Sequence, residues 1–137
     1  MTSPACLFCK IIAGQIPAAK IYEDDHTFAF LDIGPFEKGH LLVAPKHHAA
    51  FLTDLPQAEL MTLISTVQKM AALALKQLPC DGFNLVQNNG ACATQTVPHV
   101  HFHIVPRWNG RAVNWIPGAY EDPSELAAIQ RRLTGPI

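Results

Sequence analysis

The sequence predicts an α+β fold, with a five-stranded antiparallel sheet, one long helix between the third and fourth strands, and a short helix at either end. Three observations predict it. Five short runs rich in β-branched and aromatic residues are each bounded by Gly, Pro, Asn or Asp. A single run, Leu60 to Leu78, keeps helical periodicity for about five turns. No segment repeats another, and no low-complexity tract interrupts the chain.

Leu7, Phe8, Ile11 and Ile12 recur at helical spacing and Gly14 stops them, so a short helix opens the chain. Strands follow at Lys20–Glu23 and Thr27–Leu31, joined by the polar turn Glu23-Asp24-Asp25-His26, with Phe28 and Phe30 on one face. Asp32-Ile33-Gly34-Pro35-Phe36 reads as a loop, and Gly39 opens a third strand, His40–Ala44, ended by Pro45. In the long helix Leu60, Leu63, Ile64, Val67, Ala71, Ala74, Leu75 and Leu78 form the apolar stripe. Asp54 is its expected N-cap, and Pro79-Cys80-Asp81-Gly82 ends it. Phe83–Gln87 is the fourth strand and Val100–Val105 the fifth, separated by a polar loop over residues 88–98. Asp122-Pro123 starts a closing helix, Ser124–Leu133. Adjacent strands in sequence are expected to be adjacent in space, as a meander.

A chain of 137 residues with 49% apolar content supports one core, and one domain over 1–137 is expected. Only 15% of residues are charged, so an apolar surface covered by a second copy is expected. Net charge is −1, without a basic stripe, which argues against nucleic acid as a partner. No basic leader precedes an apolar run and no uninterrupted stretch has the length of a membrane span, so neither export nor membrane insertion is expected. A cytoplasmic location follows, and the four cysteines, Cys6, Cys9, Cys80 and Cys92, are expected as thiols or metal ligands.

The chemistry concentrates in His99-Val100-His101-Phe102-His103. Side chains alternate along a strand, so His99, His101 and His103 share a face while Val100, Phe102 and Ile104 face the core. The outer two Cα atoms lie roughly 13 Å apart, too far for all three rings to hold one metal, so the histidines divide their tasks. The loop before them, Asn88 to Pro98, offers small residues, amides and hydroxyls suited to an anion. Cys6-Leu7-Phe8-Cys9 is a second constellation, open to reading as a redox pair, half of a zinc site or coincidence in a short helix.

The segment Gln95 to Arg107 resembles the signature of the histidine triad (HIT) superfamily, in which three histidines alternate with apolar residues. Asp32-Ile33, Gly39 to Lys46 and Asn88-Asn89-Gly90 resemble the family's other blocks in the same order, so the likeness covers about residues 6–107 and leaves a variable tail over 108–137. It implies the HIT-like version of the fold and a homodimeric nucleotide hydrolase or transferase acting at the α-phosphate of purine nucleotide conjugates. Phosphoramidates, aminoacyl adenylates and dinucleoside polyphosphates are the conjugate classes implied. His101 matches the family's nucleophile, its other ring nitrogen held by a backbone carbonyl near His99, the first triad histidine, and His103 matches a donor to phosphate oxygen. Asn88, Gln95 and Thr96 match contacts to phosphate or leaving group, and Asp32 matches the ribose ligand. Leu7, Phe8, Ile11, Leu31 and Ile33 match the slot for the base. In the zinc-bearing Hint-like branch the structural Zn2+ site matches Cys6, Cys9, His48 and His99.

Thr94 departs from the family, which often has Gly there, although its backbone N–H is expected to stay available; Pro98 replaces a common aromatic residue. His26 and His47 are expected in solvent, His40 in a structural role, and Trp115-Ile116-Pro117-Gly118 against the partner subunit. A zinc-stabilised nucleotide-binding adaptor with little turnover is the alternative, disfavoured by the intact triad. A metal oxidase using His99 and His101 stands third.

Overall fold

In the computed structural model, which describes residues 2–135, the strands are β1 (Lys20–Glu23), β2 (Thr27–Leu31), β3 (Leu41–Pro45), β4 (Gly82–Gln87) and β5 (Phe102–Arg107). The helices are α1 (Leu7–Ile12), α2 (Gln57–Gln77) and α3 (Pro123–Thr134). All strand pairs are antiparallel, in the order β1-β2-β3-β5-β4. The meander therefore fails at its end: β5 inserts between β3 and β4, and β4 becomes an edge. Helix α2 makes that possible, because it carries the chain across the sheet and skips one strand position.

Register sorts the two faces. Phe30, Leu42, His103 and Val86 form one row across the sheet, while Leu31, Leu41, Ile104 and Leu85 form the next, on the opposite face. The second face is the main core, where Ala29, Leu31, Leu41, Val43, Phe102 and Ile104 meet Leu63, Val67, Met70 and Ala74 of α2. The first face carries a smaller cluster, Phe28, Phe30 and Leu42 beneath Cys6, Phe8 and Cys9 of the N-terminal segment. Buried positions in α2 recur at helical spacing, so its exposed residues Met61, Ile64 and Leu75 lie off the packed stripe. By length and composition α2 could cross a membrane, yet a third of that window is buried against the sheet.

The expected N-cap of α2 is displaced. Pro56 occupies that position, and Asp54 ends a one-turn 3-10 helix, Leu52–Asp54, accepting from the Phe51 N–H at 3.1 Å. Asp122 caps α3 as expected, accepting from the Glu125 N–H at 3.0 Å. The fifth strand starts at Phe102 rather than Val100, so His99 and His101 precede its regular pairing but keep the alternation. Val100 sits in the main core and the two histidine rings lie on the other face, against Phe8.

Candidate functional site

The three alternating histidines lie close together but in different surroundings. His99 is fully buried and reaches into the N-terminal segment. Its Nε2–H donates to the Pro45 carbonyl at 2.8 Å, which leaves Nδ1 bare. That atom lies 3.4 Å from Cys6 Sγ, 3.6 Å from Cys9 Sγ and 3.2 Å from His48 Nδ1, and Cys9 Sγ lies 3.5 Å from His48 Nδ1. A tetrahedral centre with Zn–S near 2.3 Å and Zn–N near 2.05 Å has S···N edges of about 3.6 Å and N···N edges of about 3.3 Å. The four residues thus form a Cys2His2 cluster with the spacing of a tetrahedral metal site, and backbone N–H groups of Cys9 and Ser3 already point at its sulfurs. Burial holds the His99 pKa down at about 4, so the ring is neutral at pH 7, the form a metal requires.

His101 is 4% exposed, and its Nδ1–H donates to the His99 carbonyl at 2.7 Å. Its Nε2 therefore carries a lone pair. Burial lowers its pKa, against the opposing pull of that carbonyl and of Asp32, and keeps the ring neutral and nucleophilic. Phe8 packs edge-on against it, with ring centroids 4.9 Å apart.

His103 depends on a residue that the sequence assigned only a structural part. The Phe36 N–H donates to His40 Nδ1 at 3.1 Å, so the His40 proton sits on Nε2, which donates to His103 Nδ1 at 2.9 Å. The remaining N–H of His103, on Nε2, is then free to meet an anion. Burial drives the pKa of His40 to about 4 and that of His103 to about 3, so both rings are neutral. Asp32 Oδ2 lies 3.7 Å from His40 Nε2 while Oδ1 accepts from the Gly34 N–H at 2.8 Å. Asp32, His40 and His103 bring three ligand-type atoms together, but the proton on His40 Nε2 makes a hydrogen-bonded His40–His103 relay beside Asp32 rather than a metal cage. Alternation along β3 held the clue: His40 shares a face with Leu42, which pairs with His103.

Two cavities meet at this relay, and both are lined by Asp32, Thr96 and His103. The first, about 230 Å³, is a mainly apolar slot that also takes in Leu7, Phe8, Ile11, Ile33 and His101. Leu31 reaches its wall, yet at 1% exposure it belongs to the main core, because Phe30 and Leu42 supply the face beneath the slot. The second cavity, about 660 Å³, is bounded by Phe36, Val86, Asn88, Thr94, Trp115 and Pro117.

Three expectations change, those for Gln95, the Thr94 N–H and His47. Gln95 lines neither cavity: it is 6% exposed, its Oε1 accepts from the Gly90 N–H and its Nε2 donates to the Ala50 carbonyl, both at 2.7 Å. It pins the loop instead of facing it. The Thr94 N–H is not available, since it donates to the Ala91 carbonyl at 3.1 Å. Trp115 packs edge-on against Phe36 at 5.6 Å, beneath the Arg107 guanidinium, and about half of it stays exposed. His47 is half-buried, its Nδ1 3.3 Å from Glu59 Oε1, whereas His26 is exposed as expected.

Comparison with known proteins follows the same lines. The HIT domain pattern matches residues 13–110. An adenosine 5'-monophosphoramidase of Saccharomyces cerevisiae is 42% identical over 132 residues, covering 94% of this chain and 80% of that protein. Among solved structures, a HIT-like protein from Bartonella henselae superposes with a TM-score of 0.86 at 36% identity, covering 98% of this chain and 97% of the other. A zinc-bound histidine triad protein from Mycobacterium smegmatis gives 0.83 at 38% identity, covering 94% and 93%. With its alternating histidines, its five-stranded sheet and its Cys2His2 cluster accounted for together, the chain belongs to the HIT domain family.

Proposed function

We propose that this protein hydrolyses purine nucleotide conjugates at the α-phosphate through a nucleotidyl intermediate on His101, releasing a nucleoside monophosphate. One observation carries the reading: a neutral His101 with its proton held at Nδ1 by the His99 carbonyl and a bare Nε2 at the slot where two cavities join. The base enters between Leu7, Phe8, Ile11 and Ile33, and Asp32 accepts from the ribose hydroxyls. The His101 Nε2 lone pair then forms the bond to phosphorus while the bond to the leaving group breaks, and the electron pair departs with that group, which takes up a proton from solvent and leaves as the neutral amine. His103 Nε2–H and the Thr96 and Asn88 side chains hold the phosphate oxygens as charge shifts. Water attacks the intermediate, the new P–O bond forms as the P–Nε2 bond breaks, the electron pair returns to His101 Nε2, and the surplus proton of water goes to solvent. The named activity of the yeast relative supports phosphoramidates as the preferred conjugates.

The Cys6, Cys9, His48 and His99 set fits zinc by spacing and by donor chemistry, and the zinc-bound mycobacterial neighbour supports that assignment. Four protein ligands leave no open position, so the ion supplies structure. It ties α1, and with it Phe8 of the slot, to the residue whose carbonyl aligns the nucleophile. We further read the protein as a cytoplasmic homodimer without nucleic-acid or membrane partners. Leu85 exposed on edge strand β4 supports the dimer, and four unpaired cysteines suit a reducing compartment.

The test is to incubate wild type and His101→Ala with adenosine phosphoramidate carrying 32P, quench in acid and measure label on the protein. Label on wild type alone is expected. Undiminished turnover by His101→Ala refutes the mechanism, and tight nucleotide binding without turnover by wild type favours the adaptor.

A further inference from the structure

We infer that Thr94 sets specificity for the leaving group: its side chain stands as a rigid post in the second cavity and favours conjugates with small leaving groups over bulky ones. This rests on the reading of the site given above.

Among the described residues Thr94 is the only non-glycine with positive φ, at φ 64 and ψ 24. A β-branched side chain resists that region, where its Cβ crowds its own backbone. The surroundings leave it no choice. Thr94 N–H donates to the Ala91 carbonyl at 3.1 Å, while the Ala93 and Gln95 N–H groups both donate to the Gly90 carbonyl, at 3.0 and 3.1 Å. The Gln95 amide then clamps the turn from below, between Gly90 and Ala50. Strain held in place by so many bonds is the kind that marks a functional position.

The side chain is as fixed as the backbone. Thr94 Oγ1–H donates to the Ala93 carbonyl at 2.6 Å, which holds the rotamer and leaves only lone pairs facing outward. The methyl and the oxygen therefore occupy a set place in the cavity shared with Asn88, Thr96 and His103.

In-line displacement decides what meets that side chain. The nucleophile His101 borders only the slot, whereas Thr96 and His103 border both cavities. Phosphorus attacked by His101 and held by Thr96 and His103 expels its leaving group away from His101, hence into the second cavity. There the group passes Thr94. A small amine clears the post and can donate to its lone pairs; a substituted amine must displace a side chain that neither its backbone nor its hydroxyl allows to turn.

The test compares kcat/KM for unsubstituted adenosine 5'-phosphoramidate and its N-benzyl derivative in wild type, Thr94→Ala and Thr94→Gly. Alanine removes the post and keeps the Cβ; glycine removes both and relieves the strained φ. Both variants are expected to raise the benzyl-to-unsubstituted ratio, by about 10-fold, the scale of discrimination a few atoms provide in a pocket. An unchanged ratio in both variants overturns the inference and makes Thr94 a turn residue only. A rise in glycine alone also overturns it, because freedom of the loop rather than the side chain would then be the filter. Wild type that consumes neither conjugate overturns the functional reading itself and the filter with it.

Discussion

Replacing Gln95 with alanine separates the two roles open to that residue. As a pin, Gln95 makes two hydrogen bonds of 2.7 Å, to the Gly90 N–H and the Ala50 carbonyl, from a position only 6% exposed. Each such bond is worth about 1 kcal/mol net, and both backbone partners lose their mates on substitution. Because Gly90 and Ala50 are only partly buried, water replaces some of the loss, and about 2 kcal/mol remains. For a chain of 137 residues the unfolding entropy is about 0.29 kcal/mol/K, so Tm should fall by about 7 °C. The assay pairs differential scanning calorimetry with steady-state turnover of adenosine phosphoramidate. Stability should fall and kcat/KM should fall with it, since the Thr94–Thr96 stretch loses its anchor. Gln95→Glu should also destabilise, because the lost amide N–H leaves a carboxylate facing the Ala50 carbonyl. A loss of activity at unchanged Tm would refute the pin and restore Gln95 as a direct contact to substrate.

The Cys2His2 spacing predicts about one zinc per chain by elemental analysis, lost in Cys9→Ala together with several degrees of Tm; full metal content in that variant would contradict the assignment. The buried neutral His40 predicts a stability profile that is flat above pH 7 and falls as pH drops from about 6.5 toward 4. The sign follows because the unfolded chain takes up the proton near pH 6.5 while the folded one refuses it until about pH 4, so acid favours unfolding. Tm against pH should be shallower in His40→Gln, and an unaltered slope would show that its ring contributes nothing to the acid limb.

Local periodicity made most of the frame legible. The bounds Leu7–Ile12, Lys20–Glu23 and Thr27–Leu31 follow from apolar spacing and turn residues alone. Alternation placed the three histidines on one face although regular pairing begins only at Phe102. What escaped depends on segments distant in sequence. Insertion of β5 between β3 and β4 is a matter of crossover, which no window of residues records. Gln95 matched a substrate contact by position, yet its amide is taken by Ala50, a residue 45 places away. His40 reads from sequence as structural, since a lone histidine at a strand start is usually bland; only the partner strand shows that it meets His103. Trp115 lies in a stretch without regular structure, where sequence periodicity carries no signal.

Strand β3 bears on how freely this protein can change. Its two ends serve different sites: His40 immediately precedes it and orients His103, while Pro45 closes it and receives the His99 N–H. A single residue inserted or deleted between them would turn every later side chain to the opposite face. One end would lose its relay, or the other its anchor on the metal cluster. The five residues from Leu41 to Pro45 thus act as a gauge of fixed length, and length variation among descendants of this sequence should collect in the loops on either side of it.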